Sequence, residues 1–554
     1  MNKRYRLLFA SLLTAGVLSV VGAQAQAPSD GYRNSLEGVH GTARAQSMSG
    51  AVGALGADPT AIWINPAGSA LYHRGAISLG LEGGRGNTSI DYRHENGVEN
   101  TNSSYGLFDL SNISYIGSGI GLSSRPLRIN WGFLYNRDYS YKRDYKLAMP
   151  LPGSGITDYL AFKANESGVP IGRYMHSDTY DPRLANVNQS VVMGLNAWLI
   201  EGGVEGKPDN YYRPNVWAWA GDPERSEQLF LLPDFASLSV KETGGNNSFD
   251  LNFGVNYDDR YFFGATLRST ASVYSRHSEY SEDFYYQPKN NRMGITYDNN
   301  LHVTGGSVGL NLGALVAIGD YGRIGISYLL PQYATYTETY SASASYYNDL
   351  LEDVKNNTVT YSTGGDFTSK YDMWLPGKLT LSAMAFLSRY GMVTYDFTYR
   401  NLGSAKYMLP GDNSNAALAD VTDLNKQYFG GQYRHSVGLE VRPLDWLTLR
   451  TGYSHTSCGI KMADLNPKDT KSRAEYSASG MILDYTLPRN YQTASAGIGF
   501  RFGSLALDLA YIYSARNESV YPYPALPSSG LESVTGGSMK DTRNSVAATV
   551  TLNF

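Results

Sequence analysis

The sequence predicts an all-β fold: a 14-stranded antiparallel transmembrane β-barrel with an N-terminal hatch, or plug, of short helices and turns. Three observations carry this expectation. The last ten residues alternate without a fault, with Val546, Ala548, Val550, Leu552 and Phe554 on one side of an extended chain and Ser545, Ala547, Thr549, Thr551 and Asn553 on the other. Past the N-terminal leader, no apolar stretch approaches the ~20 residues that a membrane helix requires. Aromatic residues make up 13% of the chain, 45 of the residues being tyrosine, which suits the two aromatic girdles that anchor barrels at membrane interfaces.

The N-terminus reads as an export signal over residues 1–25. Lys3, Arg4 and Arg6 form a positive start, Leu7 to Val21 an apolar run, and Ala23-Gln24-Ala25 a small-residue cleavage site, so that the mature chain starts near Gln26. Without those three basic residues, 43 basic side chains face 50 acidic ones, a formal charge of −7. That balance attracts neither nucleic acid nor an anionic lipid surface. The single cysteine, Cys458, makes no internal disulfide, and no Cys/His zinc spacing is present. Hydrophobic residues amount to 42% and the mean hydropathy is −0.32. A barrel has this modest value because only alternate strand residues meet lipid.

Residues 26–75 do not alternate. They are small and crowded, as in the stretch from Gly41 to Ala51, and they include Ile62, Trp63, Ile64 and Leu71, which are poor residues for disorder. A segment of about 50 residues is too short to build its own core without disulfides or metal. The expectation is therefore a hatch whose core lies in the barrel lumen.

Residues 76–554 read as the barrel, with strands near 76–92, 108–117, 127–140, 249–257, 261–278, 304–316, 321–336, 376–388, 391–402, 434–443, 446–457, 491–502, 505–516 and 543–554. The alternation is clean where Leu505, Leu507, Leu509, Tyr511 and Tyr513 oppose Ala506, Asp508 and Ala510, and where Leu127, Ile129, Trp131, Phe133 and Tyr135 oppose Arg128, Asn130, Gly132 and Asn136. Tight turns such as Gly503-Ser504 and Asp258-Asp259-Arg260 alternate with long segments at 141–248, 279–303, 337–375, 403–433, 458–490 and 517–542. Short turns on one rim and long loops on the other are the habit of barrels with both termini in the periplasm. Soluble β-sandwiches also alternate, but their strands are mostly ~5–6 residues and lack that beat.

The insertion 141–248 is the most distinctive loop. It holds Trp198, Trp217 and Trp219, with Phe230 in an apolar run and Phe235 close behind, and Val191 to Ile200 suits a short amphipathic helix. Two readings stand: an outward apolar platform that captures ligand through these aromatic residues, or a core of the loop's own.

The Gly/Ala-rich opening (Gly41, Ala43, Ala45, Met48, Gly50), the run from Ala61 to Gly68, the strand count and the terminal Phe554 together resemble the outer-membrane transporters typified by FadL and TodX. The Asn-Pro-Ala of that family's hatch maps onto Asn65, Pro66 and Ala67. Relatives often carry two adjacent acids where this chain has Ala57-Asp58-Pro59, so no hatch salt bridge is carried over. The resemblance implies an outer membrane channel in a Gram-negative bacterium, taking up hydrophobic small molecules such as long-chain fatty acids. Capture at outer loops would be followed by hatch rearrangement and sideways exit through the wall at a kinked third strand, where Gly132 is the candidate kink. The alternative is a non-transporting relative that docks exported proteins or surface assemblies. Implied partners are the hydrophobic ligand and outer membrane lipids.

Other signals point nowhere. Gly305 to Gly309 fits a GxSxG pattern but begins a strand, without the strand, turn and helix a nucleophile needs. His435 and His455 fall on neighbouring strands and face one another across a hairpin, but the eight histidines show no metal spacing. Gly206-Lys207 lacks the rest of a phosphate loop. No enzyme activity, no cofactor and no metal site are expected.

Overall fold

The computed structural model describes residues 27–122, 127–174, 189–219, 228–287, 290–349, 355–363, 365–388, 390–411, 418–461, 482–524 and 535–554. The leader at 1–25 lies outside the described residues. The barrel strands are β1 (Ala76–His94), β2 (Gly97–Leu122), β3 (Leu127–Ser140), β4 (Arg143–Pro150), β5 (Phe235–Tyr257), β6 (Tyr261–Tyr286), β7 (Asn291–Ile318), β8 (Gly322–Leu329), β9 (Gln332–Asn348), β10 (Phe367–Leu375), β11 (Lys378–Ser388), β12 (Gly391–Asn401), β13 (Gly431–Leu444), β14 (Leu447–Ser457), β15 (Tyr485–Phe502), β16 (Leu505–Tyr521) and β17 (Gly537–Asn553). Each pairs antiparallel with its neighbour in the wall, and β1 pairs β17 from Ala76↔Asn553 to Asp91↔Ser538, closing the cylinder.

The closed wall has fourteen strands, because three of them are each built from two pieces: β3 with β4, β8 with β9, and β10 with β11. Leu330-Pro331 separates β8 from β9, and Pro376-Gly377 separates β10 from β11. Both interruptions lie at one height, since Gln332 pairs Leu375 and Leu329 pairs Lys378. Proline has no N–H to give a ladder, so the pairing stops there and resumes.

Along the lower part of the strands the outward residues are apolar and exposed: Ile77, Leu79 and Leu81 on β1, Phe249, Leu251 and Phe253 on β5, Val308, Leu310 and Leu312 on β7, and Val546, Val550 and Leu552 on β17. On β7 this run reaches Ile318. At roughly 3.3 Å per residue and a tilt of about 40°, it climbs ~25 Å, the height of a barrel's lipid-facing band. The inward residues of the same strands are polar, among them Asn252, Thr266, Arg268, Ser307 and Asn311.

The predicted long loop at 279–303 is instead strand. β6 and β7 continue as one hairpin from the belt to Tyr286↔Asn291. The cause is a reversal of polarity at constant register: above Val273, Tyr274, Tyr280 and Phe284 point inward and are buried, while Ser275, His277 and Glu279 point outward. On β7, Met293, Ile295, Tyr297, Leu301 and Val303 are likewise inside. Outside lipid, the outer face meets water and the apolar face must find cover within.

That cover is the insertion after β4. Its helices α4 (Ile156–Ser167) and α5 (Gln189–Asn196) bury Ile156, Tyr159, Leu160, Val191, Val192 and Leu195 in one cluster with Tyr280, Phe284, Tyr297 and Tyr340 of the strands. The insertion is an inward cap, so the outward apolar platform is not its main architecture.

One measurement checks the belt directly. Leu312→Arg places a charge at mid-belt and should cost about 2–4 kcal/mol of stability in a bilayer, read from denaturant titrations in vesicles, whereas Asn300→Arg, beyond the belt, should cost little.

Candidate functional site

The N-terminal segment fills the lumen below the cap. Its elements α1 (Ser29–Asn34), α2 (Ala43–Ser47), α3 (Pro59–Ile64) and a 3₁₀ turn (Pro66–Leu71) are too short to satisfy their own ends, so side chains do so. Thr42 caps α2 through the Ala45 N–H at 3.2 Å, and Asp58 caps α3 through the Thr60 N–H at 2.8 Å. The Thr42 hydroxyl also donates to Asp58 at 3.0 Å, tying the two helices together. Asn65 accepts the Ala67 N–H at 3.1 Å and heads the 3₁₀ turn.

The freed carbonyls are met by inward side chains of the wall. Asn130 donates to Ser69 O at 2.7 Å and Tyr72 O at 2.8 Å; Asn252 donates to Pro66 O at 3.1 Å; Ser327 donates to Ile64 O at 2.8 Å; Arg268 donates to Trp63 O at 2.9 Å. Asn65 in turn donates to Ala314 O at 3.3 Å on β7. The wall yields space as well as bonds. A Cβ on Gly264 would lie 2.2 Å from the Pro66 carbonyl carbon, and one on Gly313 2.1 Å from Asn65 Oδ1. The predicted trio Asn65, Pro66 and Ala67 therefore sits pressed on β5, β6, β7 and β8.

Buried ion pairs lock the same segment. Arg268 and Asp250 pair at 2.9 Å with both side chains nearly inaccessible. Arg44 of α2 joins Glu440 at 3.0 Å, which Arg450 also contacts at 2.7 Å. Glu37 bridges Lys378 at 2.8 Å and Arg400 at 2.5 Å. Burial pushes the Glu37 carboxyl up, but Arg400 and Lys378 outweigh it and hold it well below the usual range, so this latch stays charged into strong acid.

Beside α1 lies a cavity of about 140 Å³, enclosed by inward residues of β3 to β7 and of β15 to β17. Its lining is aromatic and charged, with arginines paired to carboxylates such as Asp30 and Glu242: Arg33 lies over Tyr274 at 4.5 Å, Arg143 over Tyr145 at 5.0 Å, Arg543 over Tyr139 at 5.8 Å and Arg516 over Tyr32 at 5.9 Å. Cation–π stacking holds these pairs flat against the wall. Such a surface offers ring faces to an apolar body and guanidinium edges to a polar end. Tyr139 and Arg516 also line a smaller cavity of about 30 Å³ that reaches Leu107 and Asp109 on β2.

There the wall changes. β2 and β3 pair only from Leu122↔Leu127 to Asn112↔Asn136. Above that level β2 continues to Gly97 paired with β1, while β3 and then β4 follow β5, and among the described residues no ladder pair joins the two sides. Arg137 spans the parting to Asp109 at 2.9 Å. The irregularity in β3 lies between Arg137 and Tyr139, opposite Asn247 and Asn246. At Gly132 the ladder runs unbroken on both sides, to Ile116 and to Asn252. Gly132 is a close contact instead, since a Cβ would meet the Ile116 side chain at 2.5 Å.

The aromatic residues of the insertion are dispersed. Trp198 is 44% exposed and Phe235, opening β5, is 37% exposed. The backbone of Trp217 and Trp219 pairs with that of Phe230 and Gln228; the side chains of Trp217, Trp219 and Phe230 lie outside the described residues. His435 and His455 are register partners as the pattern suggested, on the outer face, with His435 Nδ1 2.8 Å from the Tyr395 hydroxyl. Gly305 to Gly309 runs straight through β7. The parting between β2 and β3 carried no sequence signal, because both flanks keep their alternation.

The cap is held by one unusual contact. Glu282, in the part of β6 beyond the belt, accepts the Ile156 N–H of α4 at 2.5 Å and the Tyr280 hydroxyl at 2.6 Å, and its other oxygen has no hydrogen-bond partner among the described residues. Tyr523 and Asp158 face it, and no basic group does so among the causes that act on it. Burial raises this carboxyl well above its ordinary value, against the two hydrogen bonds and with help from Asp158.

No family model matches the sequence, and no curated protein matches it. Among solved structures the chain is similar to a FadL homologue from Pseudomonas aeruginosa, 11% identical over 94% of this chain and 99% of that one, with a TM-score of 0.46. It is also similar to the toluene transporter TodX of Pseudomonas putida, 12% identical over 94% and 100% with a TM-score of 0.43, and to the toluene transporter TbuX of Ralstonia pickettii, 12% identical over 94% and 100% with a TM-score of 0.41. These are remote likenesses of architecture, and no residue role is taken from them.

Two outcomes follow. Arg268→Ala strands Asp250 as a buried charge and should cost about 3–5 kcal/mol, and Gly264→Leu should unseat the Pro66 turn; both should turn a silent barrel into a conducting one in planar bilayers. An acid with a raised folded-state pKa holds its proton more firmly when docked, so cap docking is favoured below the usual carboxylate range and weakens as pH climbs through it. Hydrogen exchange at Ile156–Ser167, corrected for intrinsic rates, should rise between about pH 5 and about pH 9, and Glu282→Gln should abolish that dependence.

Proposed function

We propose that this chain is a channel in the outer membrane of a Gram-negative bacterium, taking up hydrophobic small molecules, long-chain fatty acids among them, with no catalytic role. The single observation that carries this reading is adjacency: the chamber and the smaller cavity lie on either side of Tyr139 and Arg516, and the smaller one is lined by Leu107 and Asp109, where β2 has parted from β3. A straight vertical route is filled by the N-terminal segment below and by the cap above. Among the described residues, the sideways route is closed by side chains alone: the Arg137–Asp109 pair, the Thr88 bond to Asp144 O, and the Arg516 bond to the Tyr139 hydroxyl at 2.7 Å.

In this reading residues 26–75 act as the hatch and the leader directs export. Ligand lands on the exposed aromatic residues of the outer face, Trp198 and Phe235 among them. It passes beneath the cap and lies with its apolar body on the tyrosines and its polar end at the arginines. An acyl chain gains about 0.8 kcal/mol per methylene on leaving water, so a water-filled bore would offer it nothing. Rearrangement around Asn65, Pro66 and Ala67 then frees the chamber, and the ligand leaves between β2 and β3 into lipid.

The test has two readouts. Purified protein should bind a fluorescent fatty acid competitively, and Tyr139→Ala with Arg516→Ala should weaken binding about tenfold, near 1.4 kcal/mol. Asp109→Cys with Arg137→Cys, joined by a short bismaleimide, should stop uptake into cells while leaving binding intact. Uptake that survives the linker rejects the sideways route; absence of competitive binding rejects the channel reading altogether.

A further inference from the structure

The hairpin of β6 and β7 above the belt presents a row of side chains to the outside: Ser275, His277 and Glu279 on β6 stand opposite His302, Asn300 and Asp298 on β7. Glu279 and Asp298 are direct register partners. Like charges opposite one another on an antiparallel pair are destabilising unless something neutralises them. Among the described residues neither forms an ion pair with a lysine or arginine, although Lys241 flanks His277 from β5.

His277 stands beside that acidic pair, and the donor atoms of His277, Glu279 and Asp298 all lie within 4.8 Å of one another. A second observation concerns the ring. His277 Nδ1 is 2.9 Å from Asn300 Oδ1. A ring N–H given to an amide oxygen leaves Nε2 as a lone-pair nitrogen in a fixed orientation, which is how outer partners hold metal-bound histidines. The backbone fixes all four residues on a continuous ladder, so little ordering is needed to bring the donors together.

We propose that His277, Glu279 and Asp298 bind a divalent cation of borderline character, Zn²⁺ above all. One imidazole and two carboxylates suit such an ion, and three protein ligands leave a position open for water or another oxygen donor. The ion would neutralise the facing carboxylates and cross-link β6 to β7. His277 lies four positions beyond Val273, the last belt residue on β6. The open position therefore faces the headgroup layer just outside the hydrocarbon. This inference stands apart from the transport reading, since none of the three residues lines the chamber.

Calorimetry of detergent-purified, tag-free protein with ZnCl₂ tests it, with MgCl₂ as the control ion. One Zn²⁺ should bind per chain. His277→Ala and Asp298→Asn should each weaken binding tenfold or more, and Asn300→Ala should weaken it about tenfold by freeing the ring. His302→Ala, on the same face but outside the trio, should leave it unchanged. All four positions face outward, so heat-modifiable gel mobility should report an intact barrel in every variant. Absence of saturable Zn²⁺ binding, binding untouched by His277→Ala, or equal loss in His302→Ala would overturn the proposal.

Discussion

Closure of the ladder between β1 and β17 governs everything else in this molecule. A strand edge in hydrocarbon would leave N–H and C=O groups with no partner at several kcal/mol each, and pairing from Ala76↔Asn553 upward removes that edge. Once the register is closed, every side chain has a fixed side. The inward side becomes a polar scaffold, and the N-terminal segment uses it: the wall's Asn130, Asn252, Arg268 and Ser327 complete carbonyls that short helices and turns cannot complete themselves. Plug and wall are therefore one hydrogen-bonded body.

The same closure makes any relaxation of pairing informative. Between β2 and β3 the ladder stops halfway up, and the polar edges there are covered by side-chain bonds, including Arg137 to Gly244 O at 3.2 Å and Thr88 to Asp144 O at 2.5 Å. The parting lies beside Leu107 and Asp109, which line the smaller cavity.

Much of the architecture was legible in the sequence because lipid imposes a plain rule. Val546 to Phe554 and Leu505 to Tyr513 alternate with apolar residues outside, and counting such runs leads to the fourteen strands observed. The rule fails where lipid ends. Residues 279–303 alternate too, but with Tyr280, Ile295 and Tyr297 inside and Glu279 and Asp298 outside, so a search for outward apolar residues reads them as loop. Gly132 stands out as a strand glycine, whereas the register shift in β3 falls at Arg137 and Tyr139, where no residue type announces it. His277, Glu279 and Asp298 are likewise invisible in sequence, since only the hairpin register sets Asp298 beside Glu279.

The switch in which face is greasy has a mechanical meaning. On β6 it falls between Val273 outside and Tyr274 inside, and on β7 between Val308 outside and Val303 inside. Sinking the cylinder would drag Ser275 and His277 into oil, and raising it would lift Val273 and Val308 into water. Neither displacement can be relieved by turning strands, because their register is locked. The molecule thus carries its own waterline, and its immersion depth is written into the chain to within a residue or two.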